Sequence, residues 1–254
     1  MSSTPDPQSP ADRAASFSTG ADVYARVRPT YPADAVDWMV PPDAAQVLDL
    51  GAGTGLLTRR LVERGLDVVA VDASRPMLDE LATALPDVTT HVGSAEELPL
   101  PDASVDAVVV GQAWHWFDEA RASAEIARVL RPGGALAVVW NDRDERIDWV
   151  SRFGEILHTG DQLQPDSEQS SAAPALGETF GEVEVAEFRW LHHLPTADLR
   201  ALAGSRSYFL TLPEPERDRL LQRVDDLVVT HPDLAGTQEI AMPYVTTAYR
   251  ARRR

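Results

Sequence analysis

The sequence predicts an α/β protein whose mostly parallel sheet is covered by helices on both faces. Three observations predict it. Short β-branched and aliphatic runs alternate with helical stretches of about 12 residues, the pattern of βαβ units. The first run opens into a glycine-rich turn, and a helical pattern follows at once. The second run ends on an acid, Asp72. Strands joined by helical crossovers lie parallel and are buried on both faces, which is why these runs lack polar alternation.

The elements follow in order. Residues 1–16 are polar, with Pro5, Pro7 and Pro10, and read as a disordered tail. Residues 17–44 form an N-terminal arm: aromatics and cations interleave up to Pro32, then PADAVDWMV gives a short helix ended by Pro41 and Pro42. Residues 45–141 carry the alternation. Strands are expected at 45–50, 66–72, 88–93, 105–110 and 135–140, with helices up to Arg64, over 74–85 and over 118–130. Gly65 stops the first of these helices, and Arg131-Pro132-Gly133-Gly134 reads as a turn before the last strand. Residues 142–254 differ in character. A helix is expected near 146–158, a mobile polar loop at 160–174, a period-two strand at 182–191, a helix from Pro213 to 230 and a strand over 239–250. The two late strands fit an antiparallel pair at the sheet edge. Residues 17–254 read as one domain.

Composition removes several function classes. There are 23 Lys+Arg against 40 Asp+Glu, a formal charge of −17, which opposes a nucleic-acid backbone. The chain has no cysteine, so disulfides, thiol nucleophiles and Cys-ligated zinc are excluded. No apolar run is long enough to span a membrane and the N-terminus has no apolar signal core, so the default location is cytoplasmic. Histidines are scattered, and no metal site is expected.

The glycine turn is Asp49-Leu50-Gly51-Ala52-Gly53-Thr54-Gly55. Its GxGxG spacing differs from the dinucleotide fingerprint GxGxxG, and no Gly-Lys-Ser/Thr makes a P-loop. Glycines allow left-handed backbone and close ligand approach, and the helix N-terminus offers free N–H groups. Asp72, at the end of the next strand, suits the hydroxyls of a ribose lying across the turn; its bland alternative is a solvated turn aspartate.

The segments VLDLGAGTG (47–55), VDAS (71–74), GSAEELPLPDASVDAVVVGQAWHWF (93–117) and LRPGGALAVVW (130–140) resemble those of class I S-adenosylmethionine-dependent methyltransferases. YARVRPTYP, WHWF and HPDLAG…MPYVTTAYR are similar to small-molecule methyltransferases related to yeast trans-aconitate methyltransferase. The resemblance implies a Rossmann-like, doubly wound, seven-stranded sheet with an antiparallel last strand, and S-adenosylmethionine as cofactor. It also implies roles. Gly51, Ala52, Gly53 and Gly55 line the methionine moiety, and Asp49 takes its ammonium end. Asp72 holds the ribose. Ala73 or Met77 packs on the adenine, which Ser94, Ala95 and Glu96 cover. Gln112 and Ala113 flank the sulfonium. The arm becomes a lid, with Tyr24 and Arg28 near the cofactor.

WHWF sits at the carboxyl end of the fourth strand, the ligand crevice of open α/β sheets. Trp114 and His115 read as pocket residues and candidate catalytic groups, the imidazole as base or orienting donor and the indole as a cation–π wall. Trp116 and Phe117 stay open between pocket and packing, as do residues 196–212. His192 and His193 are adjacent on a strand and point to opposite faces, so they do not chelate together. The reading is direct, in-line methyl transfer to a small-molecule acceptor, on a carboxylate or hydroxyl oxygen, by a monomer or homodimer. The alternatives are a methyltransferase acting on protein or RNA, and a non-catalytic cofactor-binding regulator.

Overall fold

A central run of apolar strands, flanked by amphipathic helices, organises the computed structural model, which describes residues 27–159, 173–206, 209 and 212–254. In chain order the elements are α1 (Ala33–Met39), β1 (Gln46–Leu50), α2 (Leu56–Glu63), β2 (Asp67–Asp72), α3 (Arg75–Ala84), β3 (Thr89–Val92), β4 (Val105–Gly111), a 3₁₀ turn (Trp114–Trp116), α4 (Glu119–Val129), β5 (Leu130–Arg143), α5 (Asp148–His158), β6 (Glu184–Pro195), α6 (Asp198–Gly204), α7 (Glu214–Thr230) and β7 (Glu239–Arg252). The seven strands lie in the order β3-β2-β1-β4-β5-β7-β6. β1 pairs parallel with β2 and β4, β2 with β3, and β4 with β5. Arg253 N–H donates to the Gly134 carbonyl and Asp144 N–H to the Pro243 carbonyl, so β7 runs antiparallel to β5.

Tyr24, the tail at 1–16, the start of the arm, residues 160–172 of the expected loop and Tyr208 lie outside the described residues. Of the rest, 30–142, 173–190 and 245–254 form one compact unit, and 27–29, 143–159, 191–206, 209 and 212–244 form another.

The first unit shows why strand side chains alternate. Leu48, Leu50, Val108, Val110, Leu136 and Val138 join Ile126 and Val129 of α4 in one core. Their neighbours Val47, Val109, Ala137 and Val139 face the other way, against Val36 and Met39 of α1 and Leu57 and Leu61 of α2. Both sheet faces are therefore buried, as parallel pairing requires. Local signals set the helix ends. Asp118 caps α4 by accepting the Arg121 N–H, and Gly65, at φ 83°, ends the α2 turn. One expectation is corrected. Arg131–Gly134 is not a turn between elements but a bulge inside the long β5: Val105 pairs with Leu130 and Ala107 with Ala135, so the extra residues are absorbed within the ladder.

The second unit is helical around α5, α6 and α7. Phe153, Leu157, Leu199, Leu202, Phe209 and Val224 are buried in it, so the described apolar residues of 196–212 are core. His231, itself buried, donates from Nε2 to the Asp148 carboxylate at 2.9 Å and accepts the Asp233 N–H at Nδ1. It clasps the end of α7 to the start of α5. His192 and His193 engage different partners, the Val27 carbonyl and the Glu239 carboxylate.

Candidate functional site

The carboxyl ends of β1, β2 and β4 bring the glycine turn, Asp72 and the 112–117 segment together. Gly51, Gly53 and Gly55 have φ of 72°, 56° and 86°, all left-handed. At Gly51 the need for glycine is also steric, because a Cβ there would lie 2.6 Å from the Ala113 Cβ. The turn therefore presses bare backbone against the start of the segment after β4. Asp72 closes it from the β2 side: its carboxylate accepts the Gly53 N–H at 2.9 Å and the Ser74 N–H at 2.7 Å. Burial raises its pKa, against the lowering effect of those two donors.

Asp49 lies beneath the turn and is wholly buried. One carboxyl oxygen accepts the Thr58 hydroxyl at 2.6 Å; the other has no hydrogen-bond partner among the described residues. Burial, with the nearby Asp72 charge adding to it, pushes the Asp49 pKa to about 7. An unpaired buried oxygen of this kind costs about 1–3 kcal/mol until a donor or cation meets it. The Thr54 hydroxyl, inside the turn, is likewise buried and has no partner among the described residues. This set fits a cofactor with a cationic amino-acid end: a buried acid short of a partner among the described residues, beside a turn whose bare backbone at Gly51 packs too closely for a Cβ.

The remaining candidates fall into two groups. Met77 is buried on α3 and Ala73 is exposed just before it. Ala95 is buried in the core, Ser94 is exposed, and the Glu96 carboxylate accepts the Asp118 N–H at 2.9 Å, tying the loop after β3 to the segment after β4. Gln112 is left-handed at φ 58° without being glycine, a strained conformation of the kind found at functional sites. Its side chain donates to the Asn141 carbonyl. Arg28 stands in the helical unit, where its guanidinium donates to the Ser205 hydroxyl and carbonyl.

Within WHWF the burial is uneven. Trp114 is core: it is 3% exposed, and its indole N–H donates to Glu119. Trp116, which the sequence left open between pocket and packing, is 40% exposed. His115 keeps an open edge, lies against Trp116 and Trp140 with ring centroids 4.5 and 5.4 Å away, and makes no hydrogen bond among the described residues. Desolvation by its aromatic surroundings pushes its pKa down to about 4, so the imidazole is neutral at pH 7.

Sequence reasoning missed Thr58, Trp140, Asn141 and Thr246. Thr58 had a signal, a hydroxyl on the helix directly after the turn, nine residues from Asp49. Trp140 Nε1 is buried without a partner among the described residues, and nothing local marks it.

A family model for a methyltransferase domain matches residues 48–138. A methyltransferase of Mycobacterium tuberculosis is 51% identical over 241 residues, covering 94% of this chain and 96% of its own length. A methyltransferase-like protein of Schizosaccharomyces pombe is 34% identical over 239 residues, covering 92% and 93%. A solved methyltransferase structure from Anaeromyxobacter dehalogenans superposes with TM-score 0.62 at 27% identity, over 89% of this chain and 97% of that one.

Proposed function

The chain belongs to the S-adenosylmethionine-dependent methyltransferases, and on that footing we propose that its acceptor is a small molecule, methylated on a carboxylate or hydroxyl oxygen by direct in-line displacement. S-adenosylmethionine supplies, when bound, a methyl group made electrophilic by its sulfonium. The observation that carries the residue assignment is the buried Asp49 oxygen, without a partner among the described residues, beneath a left-handed glycine turn that Asp72 clamps.

In this reading Asp49 neutralises the ammonium end, while Gly51, Ala52, Gly53 and Gly55 line the methionine part. Asp72 keeps its backbone donors and offers its remaining lone pairs to the ribose hydroxyls. Ala73, Met77, Ser94, Ala95 and Glu96 border the adenine, and Gln112 and Ala113 the sulfonium. Trp114 serves as the buried anchor of the segment, and His115 as the group that meets the acceptor. The chain's own residues contribute orientation and exclusion of water, which lower a transfer barrier by several kcal/mol without a covalent intermediate.

The neutral imidazole favours the carboxylate branch. A carboxylic acid has a pKa of about 4 and is already an anion at pH 7, so it needs a donor and not a base. An imidazole that ionises only near pH 4 is a weak base for a hydroxyl. Incubation with radiolabelled S-adenosylmethionine and a panel of small acids, alcohols and phenols, followed by mass spectrometry, tests the reading. Labelled small acids are the expected product. Label on protein or RNA alone, or cofactor binding with no transfer at all, would overturn the acceptor assignment.

A further inference from the structure

Three polar side chains in the sheet-bearing unit form a one-way chain of hydrogen bonds, and a fourth, Gln112, joins it through the main chain of Asn141. The Trp190 indole N–H of β6 donates to the Thr246 hydroxyl of β7 at 2.8 Å. That hydroxyl, on a fully buried residue, gives its one proton to Asn141 Oδ1 at 2.5 Å. Asn141 Nδ2 then donates to the Thr30 carbonyl at 2.9 Å. From the other side, Gln112 Nε2 donates to the Asn141 main-chain carbonyl at 3.2 Å. Because Thr246 spends its proton on Oδ1, the amide has one orientation, with its NH₂ toward Thr30.

Asn141 thus joins two segments that sequence separates widely. One is the strained Gln112, whose main-chain N–H is also taken, by the Val139 carbonyl. The other is Thr30-Tyr31. The Tyr31 hydroxyl rests on Gly111, 2.6 Å from where a Cβ would stand, and its carbonyl accepts Arg60 Nε. Both ends of the link therefore meet at the last residues of β4. Chained donors of this kind stiffen as a set, because each bond polarises the next.

We propose that Asn141 is a positioning residue: it holds the backbone at Gln112 and the Thr30-Tyr31 segment in one arrangement, so that filling the cofactor site orders Thr30-Tyr31. The proposal rests on the reading that Gln112 borders the cofactor. Asn141 touches neither cofactor nor acceptor; its main-chain carbonyl holds Gln112 and its side chain holds Thr30, so one residue carries the coupling between them.

Asn141→Asp tests this with almost no change of shape. Its carboxylate still accepts from Thr246, but it presents an oxygen to the Thr30 carbonyl and breaks that link alone. Thr246→Ser keeps the hydroxyl, and with it the whole chain of bonds. Hydrogen exchange of the peptide covering residues 27–36 is measured with and without S-adenosylhomocysteine, alongside calorimetric affinity for the same compound. In the natural protein and in Thr246→Ser, the ligand is expected to slow exchange about 10-fold. In Asn141→Asp the slowing should fall below about 2-fold and affinity should drop about 10-fold. A wild-type response in Asn141→Asp would leave this residue a purely structural role and overturn the proposal. Binding by the natural protein without any change in this peptide would do the same while leaving the cofactor reading intact. No binding at all would remove the Gln112 assignment first and the proposal with it.

Discussion

At the ends of β1 and β2, polar groups find their partners within the two adjacent strand ends and the helices that follow them, at most 19 residues away. Asp72 takes N–H groups from Gly53 and Ser74, and Asp49 takes the hydroxyl of Thr58. After β4 the partners come from farther away. Gln112 is held by Asn141, and the Glu96 carboxylate of the loop after β3 holds the Asp118 N–H. His115 has an aromatic bed and no hydrogen bond among the described residues. The first region is a preformed cradle with one acid left short of a cation. The second is a surface assembled from distant strands and still open at His115. A cofactor common to a whole family suits the former, and an acceptor that varies among members suits the latter.

The cradle's unpaired acid gives the largest expected effect. In the folded protein Asp49 keeps its proton to about pH 7, against an ordinary value of 3.8. Below pH 3.8 both folded and unfolded chains are protonated and its contribution is fully present. As pH rises, the unfolded chain ionises first, so stability is lost up to pH 7, by roughly 4 kcal/mol over the window. Asn in its place has no proton to lose. Urea unfolding of Asp49→Asn at pH 4.5 and pH 8 should therefore show a much flatter dependence than the natural protein; equal slopes would mean that the acid is ionised throughout.

Next comes the shape of the cradle. Gly51→Ala combines a left-handed φ with the Ala113 clash and should lose about 2–4 kcal/mol of stability. Gly53→Ala meets nothing within 4 Å among the described residues and should lose only about 1 kcal/mol, from its φ. Denaturation midpoints that rank the two the other way would place the tight contact elsewhere.

Asp72→Ala should weaken S-adenosylmethionine binding by about 1.5–3 kcal/mol, the range for hydrogen bonds to a charged group. Calorimetry that returned the natural affinity would remove Asp72 from the ribose assignment and leave it as a clamp on Gly53.

On the open side the effect is smaller. His115→Gln should slow transfer to a carboxylic acid about 10-fold, near 1.4 kcal/mol. With S-adenosylmethionine saturating, so that Asp49 stays paired with its ammonium end, the already neutral imidazole should leave the natural rate flat between pH 6 and 8. A rate rising through pH 6.5 would show a titrating base and shift the acceptor toward a hydroxyl.

The same contrast explains what was legible in the sequence. The parallel sheet, the glycine turn and Asp72 were readable because strand alternation and the turn are written in runs of a few residues. The RPGG bulge was misread because a proline and two glycines mark a break in local terms, whereas the pairing that absorbs them belongs to β4. Trp114 and Trp116 differ in burial because Glu119 and the core claim one of them, and their shared aromatic character hides this. The Asn141 network was invisible: Thr246 and Thr30 lie 105 and 111 residues from it, and an asparagine after a strand reads as a turn residue.

The strand order also sets a timetable. Neighbours in the parallel part are close in sequence, as in Gln46 with Asp67 or Ala107 with Ala135, whereas Gly134 meets Arg253 across nearly half of the chain. Contacts between distant segments close late, since the loop entropy must be overcome before any pairing rewards it. Refolding should therefore complete the glycine cradle before β7 slots in beside β5. Until it does, β5 carries an open hydrogen-bonding edge, so the seam where β7 joins is where a half-folded molecule is most exposed to pairing with another chain.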